Sequence, residues 1–181
     1  MSGVSGEIDY GPLAGLVGEW QGEDGIDVSP EPDQSAENPY FERLIFEAIG
    51  DVENAEEQEL ACLRYHQVVT RKRGPKVFHN ETGYLTWHSE TGEIHQSLTI
   101  PRGVALVAWG SVEPTDAGYK LVWDKAEIAQ SPFMREKAAT LDFVHEITIE
   151  GDVLKYSEAM TIDIYGKTYR HTDENTLTRV V

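Results

Sequence analysis

At 181 residues the chain is long enough to bury a sizeable core and is read most simply as one domain. Its formal charge of −17 is concentrated at the front, where residues 1–60 hold 16 acidic residues against the single base Arg43. Such a segment repels phosphate backbones and argues against a nucleic-acid partner, and a lone cysteine, Cys62, excludes an internal disulfide.

The opening Met1-Ser-Gly-Val-Ser-Gly-Glu7 lacks both a basic and an apolar segment, so no signal peptide is expected. No apolar run approaches the roughly 20 residues that span a bilayer, so no membrane partner is expected and the default location is cytoplasmic. Residues 1–12, with three glycines and Pro12, are predicted to be a flexible tail ahead of a folded domain at 13–181. Leu13–Val17 reads as a short helical turn that plugs one end of the fold, and Gly18–Gly22 begins a strand. Asp27–Pro39 is dense in Pro, Ser, Asp and Asn and is predicted to be a surface loop.

Runs rich in β-branched and aromatic residues follow, each closed by turn residues. They are Tyr40–Ile49, Glu59–Thr70, Val77–His88, Glu93–Ile100, Val104–Val112, Tyr119–Ala126, Ala139–Glu150, Val153–Ile164 and a closing strand after Gly166. The basic cluster Arg71-Lys-Arg-Gly-Pro-Lys76 falls at a Gly-Pro turn and reads as a solvated loop. About ten strands with hairpin spacing and no helix beyond a turn or two predict an all-β fold. The architecture expected is a single ten-stranded antiparallel up-and-down β-barrel with a short N-terminal helical turn, because closure removes the exposed edges of so long a sheet. A β-sandwich and a jelly roll are the weaker alternatives. A barrel of that size is wider than one its own side chains fill, so a cavity for a small apolar or planar ligand is expected.

Several segments carry a family resemblance in order along the chain. Gly18-Glu-Trp20-Gln-Gly22-Glu-Asp-Gly25, Glu42-Arg-Leu44-Ile-Phe46, Tyr65-His-Gln67 and Thr176-Leu177-Thr-Arg179 are among them. The most specific is His79-Asn-Glu81-Thr-Gly83-Tyr84-Leu85. Together they resemble the nitrobindin family, haem-binding barrels akin to fatty-acid-binding proteins and lipocalins (a calycin-like fold). The resemblance implies haem b in the lumen, held by one proximal histidine on the last strand with its opposite face open. It further implies nitric oxide binding and isomerisation of peroxynitrite to nitrate, an enzymatic role that depends on the haem.

His171 is the candidate proximal ligand, and hence the candidate metal residue if haem is bound. In the family that histidine stands five residues before the Leu of the closing motif, whereas His171 stands six before Leu177, with Thr172 at the expected place. One residue of offset exchanges lumen for exterior on a strand, and a bulge near Asp173 or Asn175 would restore the direction. The alternative for His171 is an outward histidine beside Arg170 and Asp173. If it faces away, the barrel is a haem-free, lipocalin-like carrier of an apolar ligand. A second departure is Val28-Ser-Pro-Glu31, where a Tyr-Pro-Thr-like sequence is typical of the family.

The remaining candidates have structural readings. His79 and Glu81 share a strand face and form a possible metal pair, with His66 or His145 as the only third ligands to hand; a hydrogen-bonded pair is favoured. His66, His88, His95 and His145 read as isolated histidines. Trp20 and Arg179 are expected to close one barrel end by cation–π contact. Met160, Cys62, Tyr84, Trp87, Trp109 and Trp123 are expected in the core or the pocket wall. Phosphate-loop, dinucleotide-binding, Cys-x-x-Cys and nucleophile-elbow motifs are absent. Composition leaves the oligomeric state open, a homodimer included.

Overall fold

The computed structural model describes residues 8–74 and 76–180. A 3₁₀ turn at Gly11–Leu16 leads into eleven strands: β1 Gly18–Pro30, β2 Ser35–Asn54, β3 Gln58–Arg71, β4 Val77–Trp87, β5 Ile94–Ile100, β6 Val104–Thr115, β7 Gly118–Gln130, β8 Ala138–Thr140, β9 Val144–Glu150, β10 Val153–Ile164 and β11 Lys167–Arg179. One short helix, α1 Pro132–Lys137, separates β7 from β8, capped by the Ser131 hydroxyl, which accepts from the Met134 amide. Every pairing is antiparallel, and β11 bonds to both β10 and β1, so ten strands close into the predicted barrel. The three-residue β8 is an extra edge laid on the end of β10.

Three expectations are corrected. The predicted loop Asp27–Pro39 is mostly strand: β1 runs to Pro30, β2 starts at Ser35, and Asp27 pairs with both Asn38 and Asp173. The predicted strand Ala139–Glu150 is broken into β8 and β9. No bulge interrupts β11 opposite β10, whose register runs evenly from Val153↔Thr178 to Ile164↔Lys167. The bulge lies in β1 instead, between Gln21 and Ile26. Of the expected tail, residues 1–7 lie outside the described residues, while the Tyr10 hydroxyl accepts a hydrogen bond from the Gly50 amide.

Side chains alternate in and out along each strand, so the lumen is built in layers. The end beside the 3₁₀ turn is apolar: Leu13, Leu16, Trp20, Leu63, Leu85, Leu154 and Leu177 are all at 1% exposure or less. Trp20 donates its indole N–H to the Leu16 carbonyl at 2.7 Å. The Arg179 guanidinium lies 4.2 Å from its ring centroid and donates to the Val17 and Gly15 carbonyls, the expected end closure. Two to four residues further along the strands the layer turns polar, with Glu42 on β2, Asn175 on β11, Tyr156 on β10 and Glu81 on β4 all buried. Beyond that layer the lumen opens into a cavity.

The expected core aromatics divide. Trp123 is fully buried, Trp87 packs against the core, and Tyr84 points outward at 47% exposure. Cys62 is buried as expected.

Candidate functional site

Two glycines make room for the polar layer. A Cβ on Gly25 would fall 2.0 Å from the Tyr40 ring, and one on Gly22 would fall 2.6 Å from the Asn175 amide. Only a residue without a side chain allows such close approach. Tyr40 and Asn175 can therefore lean over β1 into the network around Glu42. Asn175 donates to Glu42 Oε2 at 2.7 Å, Tyr156 to the same oxygen at 2.8 Å, and Gln67 to Oε1 at 2.8 Å. The Tyr156 proton being committed to Glu42, Tyr40 donates to Tyr156 at 2.7 Å. Burial raises the Glu42 carboxyl above its ordinary range, and the three donors oppose that rise.

A second chain of bonds crosses the lumen beside it. Tyr65 donates to Glu81 Oε1 at 2.6 Å, Gln96 donates to the Tyr65 hydroxyl at 2.9 Å, and Gln96 Oε1 accepts from His145 Nδ1 at 2.9 Å. This order fixes His145 as the Nδ1–H tautomer. Burial holds the ring neutral, its pKa lowered to about 4, and it stacks on Trp123 with centroids 5.3 Å apart.

The cavity above has a volume of about 250 Å³ and opens at the end away from the 3₁₀ turn, between the turns at 31–34, 72–74 and 101–103 and the α1–β8 segment. Its wall is largely aliphatic, from Ile100, Val104, Met160, Ile162 and Ile164, with Phe78 and Met134 near the opening. The exposed Arg71 and Arg102 border the mouth. The floor is acidic: Asp27, Glu158 and Asp173 line it together with His171.

His171 thus faces the lumen. The reason is parity: it stands six residues before the fully buried Leu177, an even number, and no bulge on β11 alters the count. Its Nε2 donates to Asp27 Oδ1 at 2.7 Å and lies 3.2 Å from Asp173 Oδ2. Burial works against charge on the ring, yet the bonds and charges of Asp173 and Asp27 prevail and push its pKa from 6.5 up to about 10. Burial likewise opposes charge on Asp27, but His171, Asn38 and Ser29 hold its carboxyl below the usual range. Asn38 fixes the other oxygen, donating to Oδ2 at 2.8 Å. Glu158, by contrast, has no hydrogen-bond partner among the described residues. It is half-buried, and loss of solvent, then the nearby Glu81 and Asp173, raise its carboxyl above the ordinary range.

The other candidate residues do not assemble into a site. His79 Nε2 and Glu81 Oε2 are 3.3 Å apart, but among the described residues no third ligating side chain joins them. His66 meets Asn80 on the exposed surface, His88 meets Thr91, and His95 meets Glu93. Asp27 is the residue that sequence reasoning missed. Counting by twos from Trp20 places it outside, and only the bulge across Gly22–Gly25 turns it inward. The paired glycines near that point were the available signal.

Haem b, implied by the nitrobindin resemblance, is tested by this geometry. Iron needs a lone pair on the cavity-facing nitrogen of His171. That nitrogen carries a proton shared between two carboxylates, and the floor beside it is acidic. The residues as arranged do not fit a histidine-ligated iron porphyrin.

A comparison with curated proteins returns no match. Among solved structures, that of Rv2717c from M. tuberculosis is similar, with a TM-score of 0.74 and 23% identity over 93% of this chain and 95% of that one. At that identity the likeness carries the fold alone. A family model described as a THAP4-like, heme-binding beta-barrel domain matches residues 9–179, nearly the whole chain, and the chain belongs to that family.

Proposed function

We propose that this member of a haem-binding family binds a small organic molecule in the lumen without haem. The ligand lies with its apolar body along Ile100, Val104, Ile162 and Ile164 and any anionic end at Arg71 and Arg102. The observation that carries the proposal is the occupation of His171 Nε2 by Asp27 and Asp173 at the floor of a cavity whose wall remains aliphatic. Cavities of about 150 Å³ hold a benzene, so about 250 Å³ accommodates a bicyclic body, near the lower bound of small-molecule sites. An anion is repelled by the floor and attracted by the rim, which orients the ligand with its charge outward. 2-Naphthoate is a suitable probe. Calorimetric or fluorescence titration should show saturable 1:1 binding, weakened about tenfold in the Arg71→Ala/Arg102→Ala double variant, a loss of about 1.4 kcal/mol. Absence of saturable binding by both 2-naphthoate and neutral 2-naphthol would sink the proposal.

A second reading is favoured by the family match: haem b on His171, with nitric oxide binding or peroxynitrite isomerisation at the open iron face. It requires Nε2 to be freed from both aspartates. Replacing them should therefore promote hemin binding rather than abolish it, the reverse of what is expected if these aspartates support a haem site.

A further inference from the structure

The floor of the cavity gathers donor atoms that neither reading takes together as ligands. Asp27 on β1 and Asp173 on β11 are direct partners across the two strands, and His171 lies two residues along β11 on the same face. One donor atom from each, Asp27 Oδ1, His171 Nε2 and Asp173 Oδ2, lies within 4.8 Å of the others. We propose that these three side chains bind a divalent transition-metal ion directly, without a porphyrin, with zinc as the representative ion. The proposal does not depend on the organic ligand.

Three observations carry it. The first is spacing: a tetrahedral ion with bonds of ~2.0–2.2 Å sets its donors about 3.3–3.6 Å apart. The separations of 2.7 and 3.2 Å are those of a proton between the same atoms, and shifts of under about 1 Å convert one arrangement into the other. The second is support behind the ligand. Asp27 is 4% exposed, and the Asn38 amide holds its Oδ2 so that Oδ1 is presented to His171, the outer-shell orientation that metal-binding carboxylates require. The third is charge: Glu158, half-buried, lines the same floor, so a cation there offsets three clustered carboxyl groups. One imidazole nitrogen with carboxylate oxygens suits zinc, ferrous iron or manganese, whereas calcium takes six to eight oxygens. On binding, the Nε2 proton leaves to solvent, the nitrogen lone pair enters the metal bond and no electrons are transferred; both carboxylates bind the ion in the proton's place, which an iron already held by four porphyrin nitrogens does not allow. The open side of the ion faces the cavity, leaving a coordination position for a water or a ligand atom.

The test uses full-length protein stripped with a chelator and dialysed, then titrated calorimetrically with zinc chloride, with cobalt(II) as a visible-absorption probe. One zinc per chain is expected, with cobalt bands typical of tetrahedral nitrogen and oxygen ligation. Asp27→Asn and Asp173→Asn should each weaken zinc at least tenfold, while Asp116→Asn on an exposed turn and His66→Ala on the outer face should leave it unchanged. A stoichiometry far from one, or affinity indifferent to both Asp27→Asn and Asp173→Asn, overturns the proposal. 2-Naphthoate binding on the same preparations reports a folded lumen, so absence of zinc binding in the native chain with naphthoate binding retained rejects the metal alone. Retained zinc with no naphthoate or naphthol binding rejects only the organic ligand.

Discussion

The proton on His171 Nε2 sits between Asp27 Oδ1 and Asp173 Oδ2, and this placement governs the chemistry open to the site. With a folded-state pKa near 10, the ring of the metal-free protein should remain an imidazolium across the neutral range. Nitrogen-detected NMR should therefore show His171 titrating near pH 10 while His145 stays neutral down to about pH 4. A His171 signal titrating near 6.5 would mean that the carboxylates do not hold it. Glu42 offers a second check at this scale. Truncation to Ala leaves Gln67, Tyr156 and Asn175 without their acceptor in a buried layer. The expected loss is about 3 kcal/mol in urea unfolding. That His171 belongs to the closing strand was legible in the sequence. Its ionic partners were not, because Asp27 lies 144 positions away and its direction depends on a backbone irregularity.

At the scale of elements, β1 decides the site. Asp27, Ser29 and Pro30 look like loop, yet the strand persists: β2 pairs with it as far as Pro30 and β11 as far as Val28. Local propensity yields there to sheet pairing. The bulge spanning Gly22–Gly25 then reverses the parity of everything beyond it, bringing Asp27 to the floor and giving the Tyr40 ring its place. Gly25→Ala should accordingly destabilise the fold by roughly 2–3 kcal/mol through overpacking. Gly15→Ala, whose added carbon meets Ile149 at an ordinary 3.6 Å, should cost little. Equal unfolding midpoints for the two variants would contradict this account of β1. The hairpin order itself was readable, as turn residues punctuate each strand, but the split into β8 and β9 was not, because Leu141, Asp142 and Phe143 carry no Gly or Pro to mark the break.

For the whole molecule, the barrel is sealed at one end and open at the other. The seal combines the 3₁₀ turn, Trp20 and Arg179; Arg179→Ala should lower stability by about 1–2 kcal/mol while leaving the cavity intact, readable as a lower melting temperature with unchanged naphthoate affinity. The site also sets the response to pH. His171 has a folded pKa raised from 6.5 to about 10, so its contribution is fully present below about 6.5 and is lost as pH rises through 10. Chelator-treated protein should show a fall in urea midpoint between about pH 7 and 10 that is smaller in His171→Gln. The Trp20–Arg179 closure and the ten-strand count were both visible in the sequence, whereas the acidic floor was hidden among 32 acidic residues that are mostly surface. The most direct test of a lumen whose histidine is held by carboxylates is hemin titration of the purified chain. The account predicts no sharp Soret band at one equivalent for the native protein, and a gain of hemin binding in the Asp27→Asn/Asp173→Asn double variant. A sharp band at one equivalent in the native protein, abolished by His171→Ala, would contradict it.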